Sequence, residues 1–311
     1  MYKLNNQLVS VIMSTYKETD QQLIASIESI LNQTYQDLEF IIILDNPGNE
    51  YISKIIESYC KLDHRIIFIR NKTNIGLTDS LNKALKIAKG TYIARMDADD
   101  IAYLERIEKQ VKYMNEHDTD ILGTDIGWID EDGQVIYDKM GVPAGTRRLN
   151  KLLKISNCVA HPTWMVKKEV YQELQGYRDI PMSEDYDFLL RGLKRGYKID
   201  NIGEVLLNYR MTQGSISRSN ALKQFLVSRY LQNHIETLEL ITKEDILKEI
   251  EKQCSSEKET RFSDSSYKMN VALTQIYHKR YMNALVNLIQ SFLNSSDFRK
   301  KVLRLVWCRF S

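Results

Sequence analysis

Between Leu8 and Asp100 the chain alternates four short apolar, β-branched runs with stretches of helical spacing, and no other feature narrows its fold as much. Leu8-Val-Ser-Val-Ile-Met13 is followed by Leu23, Ile24, Ile27, Ile30 and Leu31, spaced as one helix face between Asp20 and Asn32. Leu38-Glu-Phe-Ile-Ile-Ile-Leu44 precedes a helical stretch from Glu50 to Cys60. Arg65-Ile-Ile-Phe-Ile69 precedes another from Leu77 to Ala88, and Thr91 to Met96 is the fourth run. Apolar strands of this length alternating with helices predict βαβ units, hence a mostly parallel sheet with helices on both faces. Ligands of such sheets bind beyond the carboxyl ends of the strands. The polar residues after each strand are therefore the informative ones: Ser14-Thr15-Tyr16, Asp45-Asn46, Asn71 to Asn74, and Asp97 to Asp100.

Beyond Asp100 the pattern changes. A helix is expected over Leu104 to Glu116, and Asp130-Glu-Asp-Gly133 between Ile126–Ile129 and Val135–Tyr137 predicts a hairpin. A helix over Gly145 to Lys154, a short strand at Thr163–Val166, an amphipathic helix over Ser183 to Arg195 and a closing strand at Val205–Arg210 follow. From Ser219 onward helical spacing dominates, and proline is absent after Pro181.

The bulk properties exclude several classes. A 43% hydrophobic and 27% charged composition is that of an ordinary globular protein. A formal net charge of +2 argues against nucleic acid as a partner. The charge is uneven, with 16 Lys+Arg against 10 Asp+Glu over residues 211–311, so the basic part has an anionic surface as its natural counterpart. Cys60, Cys158, Cys254 and Cys308 have neither disulfide nor zinc spacing, which predicts reduced thiols in the cytosol. Met1 to Asn6 lack the apolar core of a leader peptide, and no run approaches the roughly 18–20 apolar residues of a membrane span. No Gly-x-Gly-x-x-Gly follows the first strand, which disfavours a dinucleotide oxidoreductase.

Asp97-Ala98-Asp99-Asp100 packs three carboxylates into four positions at the end of a strand. Clustered like charges need a countercharge, and a hard divalent cation that shares carboxylate oxygens with a substrate's phosphates is the usual one. A solvated acidic turn is the plain alternative. Glu184 and Asp185 open a helix that Ser183 is placed to cap, where the helix dipole favours ionised carboxylates with or without a function. Asp45 reads equally as a turn cap before Asn46-Pro-Gly48 or as a ligand contact. His161, before Pro162, reads as a packed loop residue or a site residue.

Taken in order, strand then Ser-Thr-Tyr, strand then Asp45, strand then Asp-x-Asp, and Ser183-Glu184-Asp185 opening a helix closely resemble the family-2 glycosyltransferases over residues 8 to 212. Val9 to Tyr16 looks like that family's first strand and nucleotide-contacting turn, and Ser26 to Tyr35 like its first helix. Asn74-Ile-Gly76 with Asn82 and Ala84 is similar to the segment before its Asp-x-Asp strand. His161-Pro-Thr, Gly176-Tyr177 and Glu184 to Arg191 resemble its acceptor-side elements. The resemblance implies a GT-A fold, Rossmann-like α/β, over a nucleotide-sugar-binding and catalytic domain at residues 1–215, with a helical C-terminal region at 216–311. It further implies Mn²⁺ or Mg²⁺ on Asp99 and Asp97, and donor contacts from Ser14, Thr15, Tyr16, Asp45, Asn74, Asp97, Ala98 and Arg210. His161 and Glu184 fall on its acceptor side, and Asp185 is its catalytic base in a single displacement with inversion.

Asp45 would accept a ring N–H, as uracil and thymine offer, so a UDP-sugar is the leading donor and a dTDP-sugar the next. The implied acceptor is a glycan or lipid-linked glycan of cell-surface polysaccharide such as capsule or exopolysaccharide. The chain departs from the family pattern where Asp-Asp-x-Ser becomes Asp45-Asn-Pro-Gly48, and where Thr212 replaces a His that contacts metal in some members. A nucleotidyltransferase is the alternative enzyme, although Ser14-Thr-Tyr-Lys-Glu-Thr19 stands where its Gly-rich basic loop would be. A degenerate nucleotide-sugar-binding subunit is the alternative without turnover.

The carboxyl-terminal stretch Phe298 to Phe310 is basic and partly amphipathic. On a helical wheel Val302, Leu303, Leu305, Val306 and Phe310 share one side and Lys300, Lys301 and Arg304 the other, with Arg299 and Arg309 intruding. That arrangement suits either an anionic bilayer surface, as on the inner face of the plasma membrane, or docking on the protein's own core or a second subunit.

Overall fold

The structure, a computed structural model, describes residues 7–211, 220–277 and 279–310. Met1 to Asn6, Thr212 and Ser219 lie outside the described residues, as do the side chains of Trp307, Cys308, Arg309 and Phe310. The chain divides into two compact units. The first comprises residues 1–153, 157–179 and 188–212, and the second residues 154–156, 180–187 and 213–311.

The first unit is built on one sheet. β1 (Val9–Thr15), β2 (Leu38–Leu44), β3 (Ile66–Arg70) and β4 (Tyr92–Asp97) pair in parallel in the order β3-β2-β1-β4. The helices between them are α1 (Asp20–Leu31), α2 (Glu50–Leu62) and α3 (Leu77–Ile87). Thr19 and Gln22 close a capping box on α1, satisfying two of its orphan N–H groups. β2 is buried along its whole length, which is why its sequence is nearly unbroken apolar rather than alternating. Gly90, just ahead of β4, has no room for a side chain: a Cβ there would stand 2.5 Å from Ser10 N.

Beyond β4 the sheet becomes mixed, which the apolar pattern does not foretell. β8 (Met165–Lys167) pairs antiparallel with both β4 and β6 (Ile121–Ile129), and β6 pairs in parallel with β9 (Ile199–Arg210). β5 (Ile101–Ala102) closes the far edge against β9, and β7 (Val135–Tyr137) completes the expected hairpin with β6. α4 (Arg106–His117), α5 (Thr146–Leu152), α6 (Lys168–Glu173) and α7 (Glu184–Arg195) complete this part of the chain.

The second unit is helical, with helices at Ala221–Asn233, Lys243–Gln253, Ser256–Tyr277, Tyr281–Asn294 and Ser296–Phe310. Its apolar centre is small: Leu222, Phe225, Leu226, Phe262 and Phe298. The last helix divides its side chains differently from the wheel. Phe298 is buried, Val302 packs on that centre, Lys301 lies over the Phe262 ring at 5.6 Å, and Arg304 Nη1 donates to Gln232 Oε1 at 2.5 Å. Lys300 pairs with Asp297 Oδ1 at 3.1 Å, so all three cations expected on its polar side are engaged inside the unit, while Leu303, Leu305 and Val306 are exposed. Among the described residues, Cys60, Cys158 and Cys254 form no disulfide. Among the described residues no helix is long and apolar enough to cross a membrane.

Candidate active site

Parallel pairing brings the carboxyl ends of β1, β2 and β4 side by side. Ser14 stands in register with Asp97, and the Asp45 amide donates to the Thr15 carbonyl at 2.9 Å. The four loops that leave these ends and β3 are tied to one another by side chains. Asn46 Nδ2 donates to the Tyr16 carbonyl at 2.9 Å. Asp45 Oδ1 accepts from Asn71 Nδ2 at 2.7 Å and from the Ile75 amide at 2.9 Å, and Oδ2 accepts from the Gly76 amide at 2.8 Å. Asn74 Oδ1 accepts from the same Gly76 amide at 3.0 Å. Asp45 is buried, and both of its oxygens hold the chain between Asn71 and Gly76. These bonds reach the loop after β3 rather than the Asn46-Pro-Gly48 turn that Asp45 was expected to cap.

Glu18 organises the first loop. Its Oε2 accepts from Thr15 Oγ1 at 2.6 Å, from the Tyr16 amide at 2.7 Å and from the Lys17 amide at 3.1 Å. Tyr16 is left exposed and Thr15 buried. The Thr15-x-x-Glu18 spacing was the signal available for this residue.

The acidic turn is braced from three sides. Ser26 Oγ of α1 donates to the Asp97 carbonyl at 2.9 Å. The Arg210 amide donates to Asp100 Oδ1 at 2.8 Å, and Arg210 Nε donates to the Asp99 carbonyl at 2.7 Å. Arg210 Nη1 donates to the carbonyls of Asp130 and Glu131, each at 2.9 Å, so the hairpin is fastened to the same point. From below, Arg95 on β4 forms an ion pair with Asp97 Oδ1. Arg95 is fully buried, its Nε has no hydrogen-bond partner, and its Nη1 meets Asp97 at ion-pair range without hydrogen-bond geometry. Burial, the largest single influence, works against its charge, but Asp97, Tyr177 and Asp100 together hold the guanidinium above its ordinary value. Arg106 of α4 is also buried, donating to the Arg95 carbonyl at 2.6 Å and to Gln110 Oε1 at 3.0 Å. Burial pulls it down to about 9. Arg95 reads in the sequence as an interruption of an apolar run, and Arg106 as one more charge on a mixed helix, Arg106–His117.

The carboxylates still outrun this positive charge. Burial, then the charges of Asp97 and Glu18, push Asp99 up to about 7. Burial, then Asp97 and Asp99, hold Asp100 well above the ordinary carboxylate range, and its Oδ2 is buried without a partner. Ala98 between them is buried. Among the described residues no three His, Cys, Asp or Glu side chains converge on one point. The turn therefore offers two hard oxygen donors, Asp97 and Asp99, with negative charge left to neutralise. That donor set suits a small divalent cation that keeps waters and substrate phosphates in its remaining positions.

His161 opens a single 3-10 turn, His161–Thr163, before β8. Its Nε2 lies 2.8 Å from Tyr177 Oη, whose oxygen is in turn 2.9 Å from Tyr171 Oη. Its ring meets Trp164 edge-on at 4.5 Å. Burial, with the Arg95 charge beside it, lowers its pKa well below the ordinary histidine value, so the imidazole is neutral near pH 7.

Ser14, Thr15, Tyr16, Asp45, Asn74, Asp97, Ala98, Asp99, His161 and Arg210 all belong to the first unit. Glu184 and Asp185 stand in the first turn of α7 and belong to the second. The Ser183 carbonyl, one residue ahead of α7, accepts the Asp187 amide at 2.9 Å. Asp185 Oδ1 accepts from the Tyr186 amide at 2.7 Å, and Tyr186 Oη accepts from Gln232 Nε2 at 2.8 Å.

The family model described as glycosyl transferase family 2 matches residues 10–175. An uncharacterized glycosyltransferase of Methanocaldococcus jannaschii is 42% identical over 75% of this chain and 81% of its own length. The O-antigen biosynthesis glycosyltransferase WbnJ of Escherichia coli is 39% identical over 74% of this chain and 94% of its own. Among solved structures, S. aureus TarS 1-349 in complex with UDP-GlcNAc superposes with a TM-score of 0.58 at 16% identity, covering 90% of this chain and 89% of that one.

Proposed function

The chain belongs to glycosyl transferase family 2, has the mixed α/β fold of its GT-A-like structural neighbours, and on that footing we propose that it transfers a sugar from a nucleotide-sugar donor, with inversion and with Mn²⁺ or Mg²⁺ bound. The observation that carries the reading is the acidic turn at the end of β4, where Asp97, Asp99 and Asp100 lie within four positions and burial and mutual repulsion push Asp99 and Asp100 up, beside the countercharges of Arg95 and Arg210. Asp97 and Asp99 would hold the cation, which supplies countercharge to the diphosphate leaving group. Ser14, Thr15 and Tyr16 line the same end of the sheet for the donor, with Asn74 on the loop that Asp45 secures.

UDP is the favoured nucleotide and dTDP the next. The solved neighbour TarS was crystallised with UDP-GlcNAc and supports the first choice. With Asp45 committed to the loop after β3, base recognition would fall to its spare lone pairs or to Asn46, which occupies the family's second acidic position. Asp185 would act as the base, taking the proton of the acceptor hydroxyl as that oxygen attacks the anomeric carbon from the side opposite the nucleotide. Asp185 stands in the first turn of α7, at the positive end of the helix dipole, and its Oδ1 accepts the Tyr186 amide. Glu184 beside it would orient the acceptor.

The acceptor class is a glycan or lipid-linked glycan of a surface polysaccharide, as the name of the E. coli relative suggests, which would set the work at the inner face of a membrane. The family assignment leaves the nucleotidyltransferase alternative without support. Calorimetric titration with UDP, dTDP and GDP, each with and without Mn²⁺, tests the reading. Metal-dependent binding of one nucleotide is expected. Binding without hydrolysis or transfer to any acceptor would instead favour a degenerate binding subunit.

A further inference from the structure

Helix Tyr281–Asn294 presents its side chains in the reverse of the usual arrangement. It contains no charged residue. Toward the helix Ser256–Tyr277 it turns small or polar side chains: Ala284 and Ser291 are buried, Ser291 Oγ donates to the Ser265 carbonyl at 2.8 Å, and Asn287 Nδ2 donates to Gln275 Oε1 at 3.1 Å. Leu288 and Phe292 are half-buried, but six of its eight large apolar residues, Tyr281, Met282, Leu285, Val286, Ile289 and Leu293, are exposed, Met282 by 76% and Leu293 by 72%. Scattered exposed apolar side chains are ordinary, but a stripe of them on one uncharged helix marks a surface meant to be covered.

We propose that this stripe is the protein's docking surface for an anionic lipid bilayer, with the helix lying flat in the headgroup region. Charge selects the occupant. Lys279 and Arg280 are exposed immediately before the helix, and Arg299 is exposed shortly after it, beside Lys300, whose Nζ pairs with Asp297 Oδ1 at 3.1 Å. Anionic headgroups attract both ends at once. A symmetric pairing of two copies through the same stripe would bring these cations toward one another without any acid on the helix to meet them. Length agrees: the 14-residue helix measures about 21 Å, too short to span a hydrocarbon core and suited to lying on it. Tyr281 gives one end an amphipathic ring of the kind that settles at the boundary between headgroup and chain. Leu273 and Ile276 on the neighbouring helix are exposed as well, and the antiparallel pairing marked by the two hydrogen bonds sets them level with the first half of the stripe. The docking rests on exposure and charge and stands apart from the transferase reading.

Flotation of the full chain with phosphatidylcholine vesicles, with and without phosphatidylglycerol, tests this. Binding is expected only where phosphatidylglycerol is present, and it should weaken as salt is raised. The exposed double variant Leu285→Glu/Ile289→Glu should keep the wild-type circular dichroism and melting temperature yet lose vesicle affinity by at least about tenfold. Lys279→Glu/Arg280→Glu should weaken binding to the anionic vesicles. In a Met282→Trp variant the tryptophan emission should move to shorter wavelength on adding them. Absence of binding to phosphatidylglycerol vesicles, or binding that the Leu285/Ile289 variant leaves unchanged, overturns the proposal. So does a wild-type dimer in ultracentrifugation that this variant converts to monomer while wild type ignores vesicles, which would give the stripe to a second copy.

Discussion

The backbone amide of Arg210 donates to Asp100 Oδ1 at 2.8 Å, tying the end of β9 to an acidic turn 110 positions earlier in the chain. The guanidinium of the same residue holds the Asp99 carbonyl and two carbonyls of the Asp130–Gly133 turn. Arg210→Ala would keep the first bond and delete the other three from a buried setting. A loss of about 2–4 kcal/mol is expected, read from the denaturant midpoint at constant slope. Wild-type stability in that variant would mean that the cradle adds nothing the sheet does not already supply.

Asp97 and Asp99 are one residue apart, yet their loss should move stability in opposite directions. Asp97→Asn leaves the buried Arg95 guanidinium without its ion-pair partner while Nε is already unsatisfied, which should cost about 3–5 kcal/mol. Asp99→Asn removes a carboxylate that burial, Asp97 and Glu18 disfavour, so the chelator-treated protein should gain about 1–2 kcal/mol. Both variants should lose metal-dependent nucleotide binding. Thermal melts in chelator beside calorimetry with Mn²⁺ and nucleotide check both halves, and a destabilised Asp99→Asn would contradict the charge argument.

Much of this was open to a reader of the sequence. The four parallel strands end where their apolar runs stop, and the polar residues that follow, Ser14, Asp45 and Asp97, do stand together at one end of the sheet. What stayed hidden depends on contacts between distant positions. Asp45 looks alike as a ligand contact and as a loop anchor until Asn71, Ile75 and Gly76 are seen on its oxygens. Met165–Lys167 is too short to announce itself as the strand that reverses the sheet's direction between β4 and β6. Arg95 can sit inside a strand only because Asp97, two residues on and therefore on the same face, meets its charge. For Tyr281–Asn294, amphipathic spacing foretells a helix correctly, but periodicity carries no sign for which face turns inward.

His161 should leave a mark on the pH dependence of stability. Its folded pKa lies well below the ordinary value of 6.5 because burial and Arg95 disfavour the imidazolium. Below about 6.5 the unfolded chain therefore binds a proton that the folded chain does not. Stability is full above that pH and falls as the pH drops, by up to about 1.4 kcal/mol per unit from this residue. His161→Gln can keep a hydrogen bond to Tyr177 Oη and cannot titrate, so the slope between pH 6.5 and the onset of acid unfolding should flatten. Equal slopes in the two proteins would show that the imidazole protonates in place.

Asp185→Asn would separate the proposed base from the donor site. The change preserves size and the contact to the Tyr186 amide, and the Ser183 carbonyl still starts the helix, so folding should be unaffected. On the proposed reading, donor binding would draw on Asp97, Asp99 and the loops after β1 to β3 and should keep its affinity. Transfer requires a group that accepts the hydroxyl proton, which an amide does not do, so kcat should fall by about 10²–10⁴-fold. The loss should be deepest at neutral pH and shallower in alkali, where the acceptor hydroxyl is more readily ionised. Measuring nucleotide affinity and single-turnover transfer on one preparation checks both parts. Transfer at the wild-type rate would move the base to another residue, and lost donor affinity would make Asp185 a binding residue instead.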